Sequence, residues 1–311
     1  MQVVCADIGG SFIKFGISQA PGQIIELGRV PTPHDDWQEM VRQLGNLIGS
    51  AGVGPDVPLG LSVTGLVDPA TGVGLSANVP AFNGMPIAQA LSEALERPVH
   101  AANDADCLTL AEANEGVGQG YPIVLCIIIG TGIGGGLVVD GRLVRGAGGV
   151  TGEWGHGPIV NTSVEIDGRT VFMPRLACGC GQQGCVDTIG GARGIERIHS
   201  HLHGEEQSSY EILTRWHASD VQAGNTVEAY LQLVADPLAL AVNITGASIV
   251  PVGGGLSSDA RLIARLDEAV RSRVLHRLER PLVVPALRAQ EGGLIGAAVL
   301  ARQEGARVHA A

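Results

Sequence analysis

Residues 3–18 read VVCADIGGSFIKFGIS and place a glycine-rich turn between two apolar segments. Residues 123–140, IVLCIIIGTGIGGGLVVD, repeat the same order of apolar segment, glycine turn and apolar segment. Val3–Asp7 and Ile123–Ile129 are short apolar runs that end at glycines, as buried strands commonly do. An internal repeat of this kind indicates two related domains. The sequence therefore predicts an α/β protein in which one supersecondary unit occurs twice.

Helices are predicted between and after these strands. Residues 36–48 form an amphipathic pattern, Pro86 begins a second helical segment, and Asn103 can cap a third over residues 104–114. Further helices are predicted at residues 194–203, 210–217, 226–245 with a break at Pro237, 259–278 and 292–303.

Two domains of unequal size are expected, each with a mixed sheet and helices outside it. The last helix would cross back to the first domain, so the smaller domain comprises residues 1–115 plus 292–311. Residues 116–291 form the larger one. No long linker separates the halves, which predicts a narrow interdomain cleft.

Composition limits the function classes. The 311 residues are 45% hydrophobic and only 3% aromatic, and the net charge is −11. A strongly negative chain is a poor partner for nucleic acid. The start, MQVVCADIGG, lacks the features of a signal peptide, and the longest apolar run is far too short to cross a bilayer. A cytoplasmic protein with no nucleic-acid or membrane partner is expected.

Three glycine-rich turns are candidate phosphate-binding loops: Asp7–Lys14, Gly130–Gly136 and Gly253–Gly255. Exposed N–H groups in such turns form anion-binding nests. The second turn contains G-x-G-x-x-G but precedes a strand, which excludes the dinucleotide-binding fingerprint, and no P-loop motif is present. Each turn alone fits an ordinary hairpin. One turn in each half, facing the other across a cleft, predicts a clamp for nucleotide phosphates, and Asp7 could hold a hydrated magnesium ion there.

Several carboxylates are candidate substrate ligands. Asp104 stands where a strand ends and a helix begins, so it could accept a proton from a substrate hydroxyl. The alternative for Asn103-Asp104 is a plain helix cap. Glu153 lies among glycines in TGEWGHG, Asp187 follows the cysteine-rich loop, and Asn78 is a further candidate. Converging carboxylates and amides are suited to hydroxyl-rich ligands such as sugars.

Half of the six cysteines fall within eight positions, in the run CGCGQQGC. Cys178, Cys180 and Cys185 lie in a polar, glycine-rich loop, and His156 is the nearest plausible fourth ligand of a tetrahedral zinc site. The alternatives are a disulfide with a spare thiol, or unrelated surface cysteines. By contrast, His199, His201 and His203 lie at a polar helix end and are predicted to be solvated.

These motifs resemble those of the ROK sugar kinases, which belong to the actin-like ATPase superfamily. DIGGSFIK is similar to the first phosphate loop, NDADC to the catalytic motif, IGTGIGGG to the second phosphate loop and PVGGGLS to the loop on the adenosine side. GEWGH followed by CGCGQQGCVD is similar to the sugar and zinc signature of the family. RVPTP, ANVP and the wide spacing between His156 and Cys178 most resemble bacterial N-acetylglucosamine kinases. The implied fold is two duplicated ribonuclease H-like domains.

The resemblance implies a role for each matching residue. Asp104 would be the general base that deprotonates the 6-hydroxyl of a hexose, most simply N-acetyl-D-glucosamine, for attack on ATP. The implied sugar ligands are Gly65, Asn78, Asn103, Asp104, Glu153, His156 and Asp187. The implied ligands of ATP and Mg²⁺ are Asp7, Gly9, Gly10, Ser11, Lys14, Gly130, Thr131, Gly132, Gly134, Gly253, Gly254 and Gly255. The implied ligands of a structural zinc ion are His156, Cys178, Cys180 and Cys185.

Some positions depart from the family pattern. Asp106 stands where asparagine is common, Thr64 where many members have proline, and Ser11 where threonine is usual. The family usually has glutamate at the position of Asp187, so this carboxylate reaches one methylene less far. The resemblance also implies a homodimer. Alternatives to an N-acetylglucosamine kinase are a kinase for glucose, N-acetylmannosamine or fructose, or a sugar-binding regulator without a DNA-binding domain.

Overall fold

The computed structural model describes residues 1–158 and 161–308; residues 159–160 and 309–311 of the predicted domains lie outside this part. The strands are β1 Val3–Ile8, β2 Phe12–Ala20, β3 Gln23–Pro31, β4 Leu59–Val63, β5 Leu66–Val67, β6 Gly74–Leu75, β7 Val99–Asn103, β8 Ile123–Ile129, β9 Ile133–Val139, β10 Arg142–Leu143, β11 Ser163–Ile166, β12 Arg169–Phe172, β13 Val250–Gly253 and β14 Val283–Pro285. The helices are α1 Trp37–Ala51, α2 Ile87–Leu95, α3 Asp104–Glu115, α4 Asp187–Gly190, α5 Ala192–His203, α6 Ser209–His217, α7 Val221–Thr245, α8 Ala260–Arg271 and α9 Gly292–Val308.

Two five-stranded sheets share one strand order. The first sheet has the order β3-β2-β1-β4-β7 and the second has the order β10-β9-β8-β13-β14. Counted from the first strand of each sheet, both orders are third, second, first, fourth, fifth. In the first sheet β1 pairs antiparallel with β2 and parallel with β4, and β4 pairs parallel with β7. The predicted duplication of a mixed α/β unit is confirmed.

The chain divides into two compact units. Unit 1 comprises residues 1–122, 136–151 and the residues from 287 onward, and unit 2 comprises residues 123–135 and 152–286. The segment 136–151 belongs with unit 1 because it is bonded to α3: the side-chain amide of Asn114 donates to the carbonyl of Gly141 over 3.1 Å.

The core of unit 1 lies on the faces of its sheet. β1 is buried along almost its whole length, as expected for a strand with parallel neighbours and both faces covered. Met40, Leu44 and Ile48 of α1 cover one face together with Phe15 and Phe82. On the other side α9 packs against α3, β1 and β4, so the last helix returns to the first strands of the chain.

Close packing of α9 on α3 predicts opposite effects for two glycine-to-alanine substitutions. A Cβ atom at Gly296 of α9 would collide with the backbone carbonyl of Cys107 in α3, whereas one at Gly224 of α7 would meet nothing within 4 Å. We expect Gly296→Ala to lower the free energy of unfolding by about 1–3 kcal/mol, because a backbone cannot move aside cheaply. Gly224→Ala should raise it by about 0.5–1 kcal/mol, since alanine favours the helix. Urea denaturation measures both; equal changes in the two variants would contradict the packing at Gly296.

Four local predictions were wrong. Helix α7 continues through the predicted break at Pro237, whose ring is buried in the unit 2 core. The second glycine turn is shorter than predicted, because β9 already begins at Ile133. Helix α8 ends at Arg271, where the guanidinium bonds Asp267 and the carbonyl of Leu278. The sequence also gave no signal for the hairpin of β11 and β12, or for β14.

His199 is buried, contrary to the prediction that all three histidines near this helix end are solvated. Its Nδ1 atom lies 2.8 Å from the hydroxyl of Thr226 in α7. The ring lies on the same face of α5 as the buried Ile195, one turn away, so the helix face decided its burial. His201 is exposed as predicted.

Among the described residues, α7 alone is long and apolar enough to cross a membrane by length and composition. In the apolar 18-residue stretch of α7 that meets this test, 61% is buried inside the protein. Val227, Leu231, Val234 and Leu238 lie in the core of unit 2, which accounts for the apolar composition.

Candidate active site and zinc centre

The candidate site residues of unit 1 lie at one edge of its sheet. Strands β1, β4 and β7 run parallel, and Ile8, Val63 and Asn103 are neighbours in register at their carboxyl ends. The segments that follow these strands carry Gly9 and Gly65 together with Asp104. Ligands of open α/β sheets bind beyond the carboxyl ends of the strands. The register therefore brings together three segments that the sequence only suggested separately.

The first glycine turn is held by three hydrogen bonds. The amide of Gly9 donates to the carbonyl of Phe12 over 3.1 Å. Thr32 donates its hydroxyl to the carbonyl of Gly9 over 2.7 Å and its amide to the carbonyl of Ser11 over 3.0 Å. Gly10 is half-buried and Ser11 is exposed. The turn is thus fixed from behind while its tip faces solvent. Asn78 lies beside it: a Cβ atom at Gly10 would be 3.3 Å from that of Asn78.

Asp7 is a half-buried carboxylate next to this turn. The buried Ser62 donates its hydroxyl to Asp7 Oδ1 over 2.7 Å. Burial raises the pKa of Asp7, while the Ser62 hydrogen bond and the charge of Lys14 lower it. A side chain at Gly293 would collide with the carboxyl group, so glycine is needed where α9 begins. Carboxylate oxygens are the preferred protein ligands of Mg²⁺, and Asp7 fits such a role.

Asn103 and Asp104 occupy different places at the start of α3. Asn103 is the N-cap of α3: it is 8% exposed, and its Oδ1 accepts the amide of Asp106 over 2.6 Å. The helix-cap alternative therefore applies to Asn103. Asp104 is exposed at the first position of the helix, and its Oδ1 accepts the amide of Ala105 over 2.9 Å. A carboxylate at a helix N-terminus is stabilised in its ionised form, which a general base requires.

Gly65 must be glycine. Its φ is +104°, and a Cβ atom would approach the Cα atom of Ser76 to 2.8 Å. The preceding residue, Thr64, donates its amide to the carbonyl of Ile8 over 3.1 Å. The chain therefore turns tightly after β4, immediately beside the end of β1.

In unit 2 the second and third glycine turns pack against each other. Strands β8 and β13 are parallel neighbours, with Gly253 paired to Ile128. Gly254 has a φ of +86°, and a Cβ atom there would lie 2.9 Å from the amide nitrogen of Gly130. The amide of Gly130 donates to the carbonyl of Gly132 over 2.9 Å, which closes the short second turn. The two turns thus form one continuous backbone surface.

A cavity of about 770 Å³ opens beside these turns within unit 2. Its volume lies in the range of ordinary ligand pockets. Gly130, Thr131 and Gly255 line one part, and α6, the start of α8 and the segment just before α8 line most of the rest. His217 and Asp259 pair across the helices, with His217 Nε2 lying 2.8 Å from Asp259 Oδ2. The cavity is therefore lined by the candidate phosphate-binding turns on one side and by helices on the other.

The four predicted zinc ligands lie together in unit 2. Their ligand atoms all fall within 4.8 Å of one another. Cys180 Sγ and Cys185 Sγ are 3.7 Å apart, and His156 Nδ1 is 3.7 Å from Cys178 Sγ. Zn–S bonds of about 2.3 Å in a tetrahedron place two sulfurs about 3.8 Å apart, whereas a disulfide needs about 2.05 Å. The cluster thus fits Cys₃His zinc coordination rather than a disulfide.

The thiols have unequal acidities. The pKa of Cys185 is raised to about 12, mainly by burial and in part by hydrogen bonds with the thiols of Cys180 and Cys178. The backbone amide of Gln182 lowers the pKa of the exposed Cys180. Zinc binds thiolates, so occupation of the cluster would release protons.

Glu153, His156 and Asp187 surround the cysteine cluster. Glu153 Oε2 is 3.8 Å from His156 Nε2, so the histidine directs one nitrogen to the thiols and the other toward a carboxylate. Burial raises the pKa of Glu153, the His156 charge lowers it and the Asp187 charge raises it. Asp187 Oδ1 accepts the amide of Ile133 over 2.9 Å, and Asp187 Oδ2 lies 3.8 Å from Cys178 Sγ.

Some residues of the site were missed by sequence reasoning. Trp154 donates its indole N–H to the carbonyl of Gly134 over 3.0 Å, which holds the GEWGH segment against β9. Ser62 and Thr32 hold Asp7 and the first turn in the same manner. Tryptophan among glycines in GEWGH was a usable signal for Trp154, and Thr32 lies in the RVPTP motif. Ser62 stands in an ordinary strand context and offered no signal.

The chain matches known proteins over nearly its whole length. The ROK family model matches residues 3–304. An N-acetyl-D-glucosamine kinase of Pectobacterium atrosepticum is 34% identical, over 94% of this chain and 97% of that protein. The ROK hexokinase of Thermus thermophilus is 32% identical with a TM-score of 0.83, over 99% of this chain and 100% of that one. A ROK glucokinase of Streptomyces griseus, solved with glucose and AMPPNP, is 27% identical with a TM-score of 0.73, over 97% of this chain and 100% of that one. The predicted actin-like fold is confirmed, and the chain belongs to the ROK family.

Proposed function

We propose that this protein is an ATP-dependent kinase that phosphorylates the 6-hydroxyl of N-acetyl-D-glucosamine. The observation that carries the proposal is the position of Asp104, an exposed carboxylate at the carboxyl edge of the unit 1 sheet. The same edge holds Asp7 and the first glycine turn. The sugar is inferred from the N-acetyl-D-glucosamine kinases that share 34% and 33% identity with this chain.

Unit 1 would supply the base and part of the sugar site. Asp104 accepts the proton of the attacking hydroxyl, while Asn103, Gly65 and Asn78 contact the sugar ring. Asp7 would hold magnesium, which neutralises charge on the phosphates of ATP when bound. Gly9, Gly10, Ser11 and Lys14 would bind phosphate. The fixed turn and its exposed tip support this role, because a rigid nest of N–H groups needs no reorganisation on binding.

Unit 2 would hold the rest of ATP and of the sugar. The turns at Gly130, Thr131, Gly132 and Gly134 and at Gly253, Gly254 and Gly255 would bind phosphates, with adenosine in the 770 Å³ cavity beside them. Glu153 and His156 would contact the sugar. Zinc on His156, Cys178, Cys180 and Cys185 would be structural: it fixes the ring orientation of His156, since metal ligation determines the tautomer of a histidine.

Phosphoryl transfer requires mainly alignment and charge neutralisation. The proposed site residues would provide alignment through the carboxylates that contact the sugar hydroxyls and the backbone amides that bind the phosphates. Asp104 would supply the base for the attacking hydroxyl.

Sugar preference can be measured directly. We expect the purified protein to release ADP with N-acetyl-D-glucosamine and ATP, with a kcat/KM at least about tenfold above that for glucose, N-acetylmannosamine or fructose. A site that hydrogen-bonds a substrate group discriminates against analogues that lack it, because its own polar groups are then left unpaired. An assay coupled to ADP release across the four sugars gives the ratios, and mass spectrometry of the product locates the phosphate.

Equal or better turnover of glucose would overturn the amino-sugar assignment and favour a hexokinase like the Thermus thermophilus relative. Tight sugar binding without turnover of any of the four would favour a sugar-binding regulator.

We also propose a cytoplasmic homodimer. None of the six cysteines, all of which lie in the described part of the chain, is in a disulfide, which is the usual state in a reducing compartment. Light scattering coupled to gel filtration tests the assembly; a single 32.0 kDa species would contradict it.

A further inference from the structure

We propose that Asp187 is a positioning residue for ATP phosphates: it fixes the second glycine turn, residues 130–132, and connects this turn to the zinc centre. The proposal deepens the kinase function proposed above and rests on it. The zinc-binding loop would then serve the nucleotide side of the reaction as well as the sugar side.

The first observation is the hydrogen bond at the end of the turn. Ile133 follows the turn directly and is the first residue of β9. Its amide donates to Asp187 Oδ1 over 2.9 Å. A carboxylate that accepts a backbone N–H makes a charge-assisted bond, which is roughly twice as strong as a neutral one. Asp187 therefore holds the backbone where the turn becomes a strand.

The second observation is a fit of glycines on both sides of this contact. A side chain at Gly132 would collide with Asp187 Oδ1, and one at Gly191 would lie 2.7 Å from the Cα atom of Gly132. The amide of Ala192 donates to the carbonyl of Gly130 over 2.8 Å. The segment from Asp187 to Ala192 thus encloses the turn from behind.

The third observation is the direct connection to the cysteine cluster. Asp187 follows Cys185 by two residues, and the amide of Thr188 donates to the carbonyl of Cys185 over 3.0 Å. Asp187 Oδ2 lies 3.8 Å from Cys178 Sγ. An interaction that orders the cysteine loop therefore also orders Asp187, and Asp187 in turn orders the glycine turn.

Asp187 Oδ1 is engaged by the amide of Ile133, and Oδ2 faces Cys178 Sγ inside unit 2. The resemblance instead implies that Asp187 is a sugar ligand. The two roles predict different losses when the carboxylate is removed.

Asp187→Ala separates these roles by equilibrium binding. We expect it to weaken the binding of ADP about tenfold, as loss of a hydrogen bond to a charged group implies, and to change the binding of adenosine and of N-acetyl-D-glucosamine less than about twofold. Adenosine lacks phosphates, so it does not sense the turn. Asp187→Asn keeps an acceptor oxygen and should recover most of the ADP affinity. Glu153→Gln is the matched control: it should weaken the binding of the sugar and leave the binding of ADP unchanged.

Isothermal titration calorimetry gives all affinities, and metal analysis checks that each variant keeps its zinc. Loss of sugar affinity with unchanged ADP affinity, in either Asp187 variant, would overturn the proposal. Equal loss of ADP and adenosine affinity would overturn it too, since a general disturbance of the unit would then be the cause. Absence of sugar phosphorylation by the unmodified protein would refute the kinase function instead, a result visible before any variant is made.

Discussion

Replacement of Asp104 by asparagine is expected to lower the kcat of sugar phosphorylation by about 10²–10⁴-fold, the usual contribution of a positioned base. Asparagine has the same size but cannot accept the proton of the attacking hydroxyl. Asp104 lies at the first position of α3, where asparagine can still accept the amide of Ala105. The local structure should therefore survive, and the affinity for sugar should change less than about threefold because only a transition-state interaction is lost.

Asp106→Asn is the matched control for this experiment. It makes the same chemical change two residues along the same helix turn, so it removes the same charge from the helix N-terminus. Both variants should lose similar, small amounts of stability, yet only Asp104→Asn should lose turnover. Retained turnover in Asp104→Asn, or an equal loss in Asp106→Asn, would show that the base is elsewhere. Steady-state kinetics with thermal denaturation of both proteins decides this.

The strands that carry the glycine turns could be predicted because their pattern is local. β1 and β8 are apolar runs followed by glycines, and the structure has a strand at each predicted place. The error in the second turn has a physical cause. A Cβ atom at Gly135 would lie 2.8 Å from the carbonyl of Cys126, and one at Gly136 would lie 3.1 Å from Asp106 Oδ1. Glycine at these two positions permits close packing of a strand rather than a turn.

The candidate site was predictable where residue chemistry is distinctive and not where tertiary contacts decide. Three cysteines and a histidine predicted a metal site from residue chemistry, and these ligand atoms converge. The partner of Asp187 is a backbone amide, that of Ile133, which no sequence motif marks. The prediction that His199 is solvated was wrong for the same reason. Its polar neighbours indicated solvent, but its contact with Thr226 depends on how α5 meets α7.

Cys180→Ser is expected to lose the zinc ion and with it the order of the cysteine loop. The unmodified protein should contain about one zinc per chain, because four ligand atoms within 4.8 Å of one another suit a closed structural site. Mutation of a mere outer-shell partner costs about 10–100-fold in metal affinity, so removal of a thiolate ligand should cost more. The backbone bonds that would remain in the loop include Cys178 N to Gln182 O at 2.8 Å and Gly184 N to Leu176 O at 2.7 Å.

The consequences should extend from the loop to both substrates, because metal binding and folding of such a site are one equilibrium. We expect Tm to fall by about 5 °C or more in Cys180→Ser, measured by calorimetry with zinc content from elemental analysis. A chelator should lower the Tm of the unmodified protein by a similar amount and leave that of the variant unchanged. Because the loop also carries Asp187, which bonds Ile133, the zinc-free forms should bind ADP as weakly as Asp187→Ala. A metal-free protein with full activity would contradict the zinc centre. Fewer than six titratable thiols in denaturant with a chelator and without reductant would support a disulfide instead.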